Sequence, residues 1–432
     1  MNLSILIVGA IAISVILGYK TKHNTGLFAM CFAYILGCFV LGLKTKAVIA
    51  MWPISVFFVI FSVSLFYNFA MVNGTLEKMA LLLLYRCRKF PRMLPYVLFF
   101  AAAFIAAIGA GFFAVLAVMA PVTLILCDKA KLDKLVGAVA INCGALSGGD
   151  FMISGLGVIF RGLMDEVGFA EVSFNYTAAL FGISMVFSLL FITLFLVVTG
   201  TAKGQAETAE IVKPEPFDPK QRTNIILILL MMLVVLIFPI LHIVFPKVAI
   251  ITTLNSRVDV GLVAIVFAVI AMLLNLGDEK KVIAKLPWST LIMISGVGML
   301  IAVAVKAGTL DLLSKWVGSN VPAMWVPVAL ALVGACMSFF SSTTGVVCPA
   351  LFPLVPALAQ ATGVSPMIMF ISIVIGAQSS AISPFSSGGS LILGSCATEE
   401  DRTKLFPRLL FIAVPVSVAF AMIYSFVVAY LL

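Results

Sequence analysis

Long apolar runs alternate with short polar connections along the whole chain. The runs are Leu3–Leu17, Leu27–Leu43, Met51–Val72, Leu94–Cys127, Leu135–Phe160, Tyr176–Thr199, Asn224–Phe245, Val260–Leu276, Leu286–Val305, Val326–Ala359, Met367–Leu393 and Leu409–Leu432. Crossing the hydrocarbon core takes about 20 residues. Ten runs fit one crossing each. Leu94–Cys127 and Val326–Ala359 are too long for one crossing and too short for two with a loop. Each has a small or polar turn at its middle, Gly109-Ala110-Gly111 in one and Ser341-Ser342-Thr343-Thr344-Gly345 in the other. Both read as re-entrant hairpins that enter and leave on the same side.

Polar residues also fall inside two apolar runs. Gly376 to Gly394 holds six serines, a glutamine, a proline and four glycines. Asn142 to Asp150, NCGALSGGD, is a similar interruption. At membrane depth an irregular backbone survives only when it is buried in protein or lines a cavity. Interrupted helices of this kind form the midplane solute sites of transporters. The expected fold is therefore an all-α polytopic membrane protein. It has about ten transmembrane helices plus two re-entrant hairpins, with broken helices at the midplane.

Composition agrees. Of 432 residues, 63% are hydrophobic and 10% charged, and the mean hydropathy is +1.22. A soluble chain carries roughly a quarter charged residues. The net charge of +9 suits cytoplasmic loops of a membrane protein and needs no nucleic acid. With the N-terminus outside, 20 of the 27 lysines and arginines lie on cytoplasmic segments. Ten crossings return the C-terminus to the outside as well, and the inner membrane is the expected location. Leu3–Leu17 lacks a positive n-region and a small-residue cleavage site, so it reads as a helix rather than a signal peptide. The eight cysteines form no CxxC pair, and His23 and His242 are the two histidines. Metal centres and His-based catalysis therefore have little to work with, and no enzyme activity or cofactor is expected.

The halves match each other. Gly74-Thr75-Leu76-Glu77 returns as Gly308-Thr309-Leu310-Asp311, and Ala145-Leu146-Ser147 as Ala381-Ile382-Ser383. Between these, the hairpin turn at Ala110 returns at Thr343, and Pro121 returns at Pro353. The spacings all lie between 232 and 236. One unit starts outside and the other inside, which makes the repeat inverted, as in secondary transporters. The first repeat spans 1–200: scaffold helices 1–73, an interfacial arm 74–90, a hairpin 93–127, a broken helix 135–160 and a helix 174–200. A polar cytoplasmic linker covers 201–222. The second repeat spans 223–432: scaffold 223–305, arm 307–320, hairpin 322–360, broken helix 364–395 and helix 406–432.

Half-helices that start at these breaks aim backbone N–H groups and a positive dipole end at the midplane, which suits carboxylate oxygens. Serine, threonine and asparagine oxygens with freed carbonyls suit a hard cation. The plainer reading is that small residues only let helices pack closely. It fits a lone serine better than the cluster of Ser379, Ser380, Ser383, Ser386 and Ser387 around Pro384. Asp150 is the one acid well inside an apolar run. Such a residue is a cation ligand or proton carrier, or else a cap for a half-helix beginning at Phe151. Arg161 and Lys306 lie near helix ends, where long side chains snorkel to the interface. Thr75–Arg88 and Thr309–Val317 read as amphipathic stretches lying in the interface.

The residues in these segments resemble a known group. SSTTGVVCPALFPLVPAL (Ser341–Leu358), AISPFSSGGSL (Ala381–Leu391) and AAIGAGFFAVLAVMAPV (Ala106–Val122) are similar to the malonate/dicarboxylate carriers of the MatC type. That branch belongs to the ion transporter superfamily, with the divalent anion:sodium symporters. The resemblance implies an elevator transporter, usually a homodimer in the lipid bilayer. It would carry a small organic anion between the two hairpin turns, with sodium as coupling ion on either side. By matching position, the anion would meet Gly109, Ala110 and Gly111, with Ser342 and Thr343, and with Ser386 and Ser387. One cation site would use the turn at Gly109–Gly111 with Asn142 and Ser147, Asp150 standing in as a ligand where that turn lacks side-chain donors, and the other Ser341, Ser342, Thr344 and Ser383. Symporters of the superfamily carry Ser-Asn-Thr at both turns. Here the first turn is Gly-Ala-Gly-Phe-Phe, which offers only backbone donors. The leading expectation is sodium-coupled symport of a C3–C4 dicarboxylate. The alternative is a sodium/proton antiporter or a proton-coupled anion transporter that uses Asp150.

Overall fold

A computed structural model of the chain describes residues 2–87, 93–109, 111–130, 132–198, 213–245, 248–255, 257–309, 312, 319–339, 341–396 and 398–431. Every regular element among them is helical. Six helices are long and apolar enough to cross a membrane, and seven shorter apolar helices accompany them. This is a multi-pass membrane protein.

The first half begins with α1 (Asn2–Thr21), α2 (Thr25–Tyr34) and α3 (Ile54–Val72). The expected arm is α4 (Thr75–Cys87). The hairpin is α5 (Leu94–Ala107) and α6 (Phe112–Lys129). The broken helix is α7 (Lys134–Gly149) and α8 (Gly155–Met164), followed by the long α9 (Ser173–Val198). The second half runs through α10 (Pro219–Val244), α11 (Val260–Leu273) and α12 (Trp288–Lys306). Its hairpin has α13 (Val326–Ser338) as first arm and, as second, short helical pieces from Thr343 that end in α14 (Val355–Thr362). The broken helix is α15 (Pro366–Ser379) and α16 (Ser387–Gly394), followed by α17 (Glu399–Arg408) and α18 (Val414–Leu431). Hairpin, broken helix and closing helix thus occur twice in one order. Gly74 and Gly308, at matched positions, both sit at positive φ, +75° and +69°.

Several boundaries differ from the sequence reading. The linker ends at Asp218 rather than residue 222. Asp218 and Gln221 form a reciprocal capping box that starts α10 four residues early. The closing helix starts at Glu399 rather than 406, because Thr398 accepts from Asp401 N and three acids fill the first turn. Short helices at Ala249–Asn255 and Glu279–Ala284 fall where loops were expected. Residues 201–212 of the linker lie outside the described residues. So does most of the second arm, 310–311 and 313–318.

Packing is backbone to backbone where it matters for the site. In lipid no hydrophobic force separates helix from solvent, so close approach through small residues holds helices together. A Cβ built on Gly148 of α7 would lie 2.1 Å from Ala103 O of α5, and one on Gly144 2.3 Å from Phe99 O. The second half repeats the device. A Cβ on Gly376 of α15 would lie 2.1 Å from Ala331 O of α13. The scaffold crosses the halves: α2 meets α12 where Gly26 and Gly296 touch, and α3 packs on α11.

Ion pairs tie the break-bearing helices together at one end. Arg408 of α17 grips Asp133, just before α7, through two hydrogen bonds of 2.9 and 2.5 Å. Lys134 lies 2.8 Å from Asp128 and 2.7 Å from Asp401. Arg161 is half-buried. Its guanidinium lies 5.3 Å from the Phe174 ring centroid, a cation–π contact. Lys306 is exposed.

Candidate functional site

Helix starts converge on one cavity of about 50 Å³ between the hairpin turns and the breaks. An ordered water needs roughly 10–15 Å³ by the same measure, so there is room for a small polar solute. Phe112 and Phe113 contribute the first turn of α6, and Leu156 the first turn of α8. Ser341 to Thr344 bring the second hairpin turn, and Ser386 and Gly388 the start of α16. Leu146, Ser338, Gln378 and Ala381 complete the wall. Four helical segments therefore begin at the cavity, each leaving N–H groups without intrahelical partners. No lysine, arginine or histidine lies among the described lining residues.

The sequence-predicted anion residues divide. Ser342, Thr343 and Ser386 line the cavity. Gly109 does not. It adopts φ +104°, and its face is covered by the Tyr67 ring of α3, 2.1 Å from where a Cβ would be. Only glycine permits that backbone under an aromatic ring. Gly111 caps α6. Ala110 lies outside the described residues. Ser387 opens α16.

The hydroxyls are mostly spent on the protein. Ser341 donates to Met337 O at 2.5 Å. Ser342 accepts from Gly345 N at 3.1 Å and lies 3.5 Å from Thr344 Oγ1. Thr343 shares a 2.8 Å bond with Ser338. Ser386 donates to Ala381 O and Ser383 O, at 2.5 and 2.9 Å. Ser383 accepts from Phe385 N at 3.2 Å. Hydroxyl donors that satisfy carbonyls leave their oxygen lone pairs for other partners.

Among the sequence-predicted site residues described, the buried oxygens without a partner are in the first half. Asp150 is fully buried. Its Oδ1 accepts from Gln378 Nε2 at 2.7 Å, and its Oδ2 has no hydrogen-bond partner among the described residues. Ser184 lies within reach, but its hydroxyl donates to Phe181 O at 3.1 Å. Asn142 Oδ1 is also buried without a partner, against the start of α16 at Gly388. Ser147 donates to Cys143 O at 2.6 Å. A buried carboxylate with one neutral donor is costly to keep charged, so it calls for a proton or a cation. Each orphaned oxygen suits a hard cation, but the two stand eight residues apart on α7, about 12 Å of helix rise, so they are separate positions rather than one donor set. Among the described residues no group of three or more His, Cys, Asp or Glu could hold a metal ion.

One sequence expectation is corrected. Asp150 does not cap a helix beginning at Phe151. It ends α7, and α8 begins at Gly155 behind Ser154, whose hydroxyl turns back to Gly149 O. The carboxylate is thus left for Gln378. Sequence reasoning assigned Gln378 no role, nor Ser338 and Tyr67. The available signal was an amide inside an apolar run at the position matching Asn142, 236 residues on.

A family model described as "Dicarboxylate carrier protein MatC N-terminus" matches residues 1–149 and 231–381. Those stretches cover well over half of the chain. The chain belongs to the MatC dicarboxylate carrier family. Among solved structures, this MatC-family chain is similar to the YdaH transporter of Alcanivorax borkumensis. The TM-score is 0.58 at 14% identity, with 92% of this chain and 88% of that one covered. At that identity the likeness speaks for a shared fold. No curated protein matches the chain.

Proposed function

We propose that this MatC-family protein is a secondary active transporter that carries a small organic anion, a C3–C4 dicarboxylate, coupled to a cation, with sodium as the first candidate. One observation supports this above the others. A cavity without basic side chains is walled by four helix starts and the Ser341–Thr344 hydroxyls. Backbone N–H groups and dipole ends there attract carboxylate oxygens. The orphaned Oδ2 of Asp150 supports a cation beside it. Family membership supports the dicarboxylate class.

The transport cycle belongs to the same proposal. The two units, 1–200 and 223–432, form inverted repeats. Support comes from the recurring element order and from the two matched stretches, which begin 230 residues apart, at 1 and 231. Hairpins and broken helices move as an elevator against a scaffold of the first helices of each repeat. Two copies associate in the inner membrane, with both termini outside by the distribution of basic residues. The second reading, a sodium/proton antiporter or proton-coupled carrier, draws on the same buried Asp150.

The test is uptake of labelled mono-, di- and tricarboxylates into proteoliposomes, with and without a sodium gradient. Dicarboxylate uptake that rises with the gradient is expected. No uptake under either condition sinks the carrier reading. Uptake driven by a pH gradient alone favours the second reading.

A further inference from the structure

Gln378 is the one nitrogen-bearing side chain among the described residues that line the cavity. The other polar lining groups are hydroxyls, and those of Ser341 and Ser386 are committed to backbone carbonyls. Gln378 Nε2 carries two hydrogens. One goes to Asp150 Oδ1 at 2.7 Å. Gln378 also lines a second, smaller space of about 10 Å³, shared with Asn142, Ser188 and Ser417. It therefore stands between the buried acid of the first half and the cavity that both halves line.

Gln378 and Asn142 occupy matching positions of the two halves, 236 residues apart. Each reaches across. Gln378 enters the first break at Asp150, and Asn142 abuts the second break, its Oδ1 3.0 Å from a Cβ built on Gly388. The crossing places one carboxamide between the candidate cation and the candidate anion.

We propose that Gln378 is the specificity and coupling residue of this site: one N–H holds Asp150, the other meets the anion, and the anion is accepted only when a cation neutralises Asp150. The inference rests on the carrier reading above. The electrostatics follow from the spacing. Where Asp150 is ionised and holds no cation, a bound carboxylate sits one carboxamide away from its charge, roughly 6 Å. At an effective dielectric constant of about 20, that repulsion weakens anion binding roughly 100-fold. With a cation on Oδ2 the repulsion is cancelled, and Oδ1 becomes a weaker acceptor, so the amide turns more of its donor strength to the anion. Gln378 also supplies the side-chain donor that the Gly-Ala-Gly turn lacks.

The experiment measures succinate uptake by the full chain in proteoliposomes, at low and saturating sodium, for the wild type and Gln378→Leu. The wild-type KM for succinate is expected to fall roughly 100-fold as sodium rises. Gln378→Leu is expected to raise KM at saturating sodium about 10- to 100-fold, as for the loss of a hydrogen bond to a charged group. It is also expected to flatten the sodium dependence of KM. Sodium-dependent thermal stabilisation of the purified variant should persist, because Asp150 remains. A purely structural role would lower yield and kcat without changing the KM ratio. Should Gln378→Leu not fold, Gln378→Met keeps the length and removes the N–H donors without adding a charge, with the same expected loss of succinate affinity. A variant that keeps the wild-type KM ratio overturns the proposal. Wild-type uptake that ignores sodium overturns it too, and leaves the carrier reading standing. No wild-type dicarboxylate uptake at all overturns both.

Discussion

Gly148→Ala tests whether the site is held by direct backbone contact. A Cβ at Gly148 would sit 2.1 Å from Ala103 O and 2.5 Å from Ala103 Cα, and real Cβ atoms essentially never approach below 3.0 Å. The atoms met are backbone, so no side chain can swing away. Helix α7 has to retreat from α5 by about 0.9 Å, the step from 2.1 to 3.0 Å. Overpacking of this kind costs about 1–3 kcal/mol. Against it stands the helix preference of alanine over glycine, up to about 1 kcal/mol. Gly182 of α9 isolates that second effect, since a Cβ there meets nothing within 4 Å. Gly182→Ala should be neutral or slightly stabilising. Gly148→Ala should fall below it by about 1–3 kcal/mol, and α7 carries Asn142 to the site, so the dicarboxylate KM should rise as well. Thermal unfolding in detergent and uptake at saturating sodium read the two effects. If Gly148→Ala is as stable as Gly182→Ala and keeps its KM, the close packing of α5 on α7 is wrong.

Further expectations concern single contacts. Asp150→Asn keeps the Gln378 contact and loses the charge, so sodium should cease to stabilise the protein in a melting assay, whereas an unchanged sodium shift would place the cation elsewhere. Gly109→Ala should destabilise both by its φ of +104° and by the Tyr67 ring. Measured against Tyr67→Ala alone, Gly109→Ala should cost less than in the wild type but still something, because the backbone strain remains. A double-mutant cycle on Asp133 and Arg408 should give about 0.2–1 kcal/mol for this half-exposed pair, measured by chemical unfolding, and a coupling above that range would mark the clasp as better shielded than its geometry indicates.

Much of the architecture was legible because the membrane restricts the options. An apolar run longer than one crossing with Gly109–Gly111 or Ser341–Gly345 at its centre has few folds open to it. The breaks at 150–154 and 380–386 were visible for the same reason, as polar residues where a lipid-facing helix cannot hold them. Boundaries were less legible where capping decided them, as at Asp218 and Thr398. The site was half legible. Ser342, Thr343 and Ser386 announced themselves as hydroxyls in apolar surroundings. Gln378 and Tyr67 did not, because their roles come from partners 228 residues away in one case and from the close approach of a neighbouring helix in the other. No local pattern encodes such contacts.

The Gln378–Asp150 bond also sets a condition on biosynthesis. The two residues are 228 positions apart, and ribosomes add about 5–20 residues per second. After Asp150 leaves the ribosome, its partner follows on the order of 10 to 45 seconds later. During that interval the first half sits with an acid that has no amide to meet it. The bond that joins the first break to the second half therefore forms only late in synthesis, once residue 378 has been made.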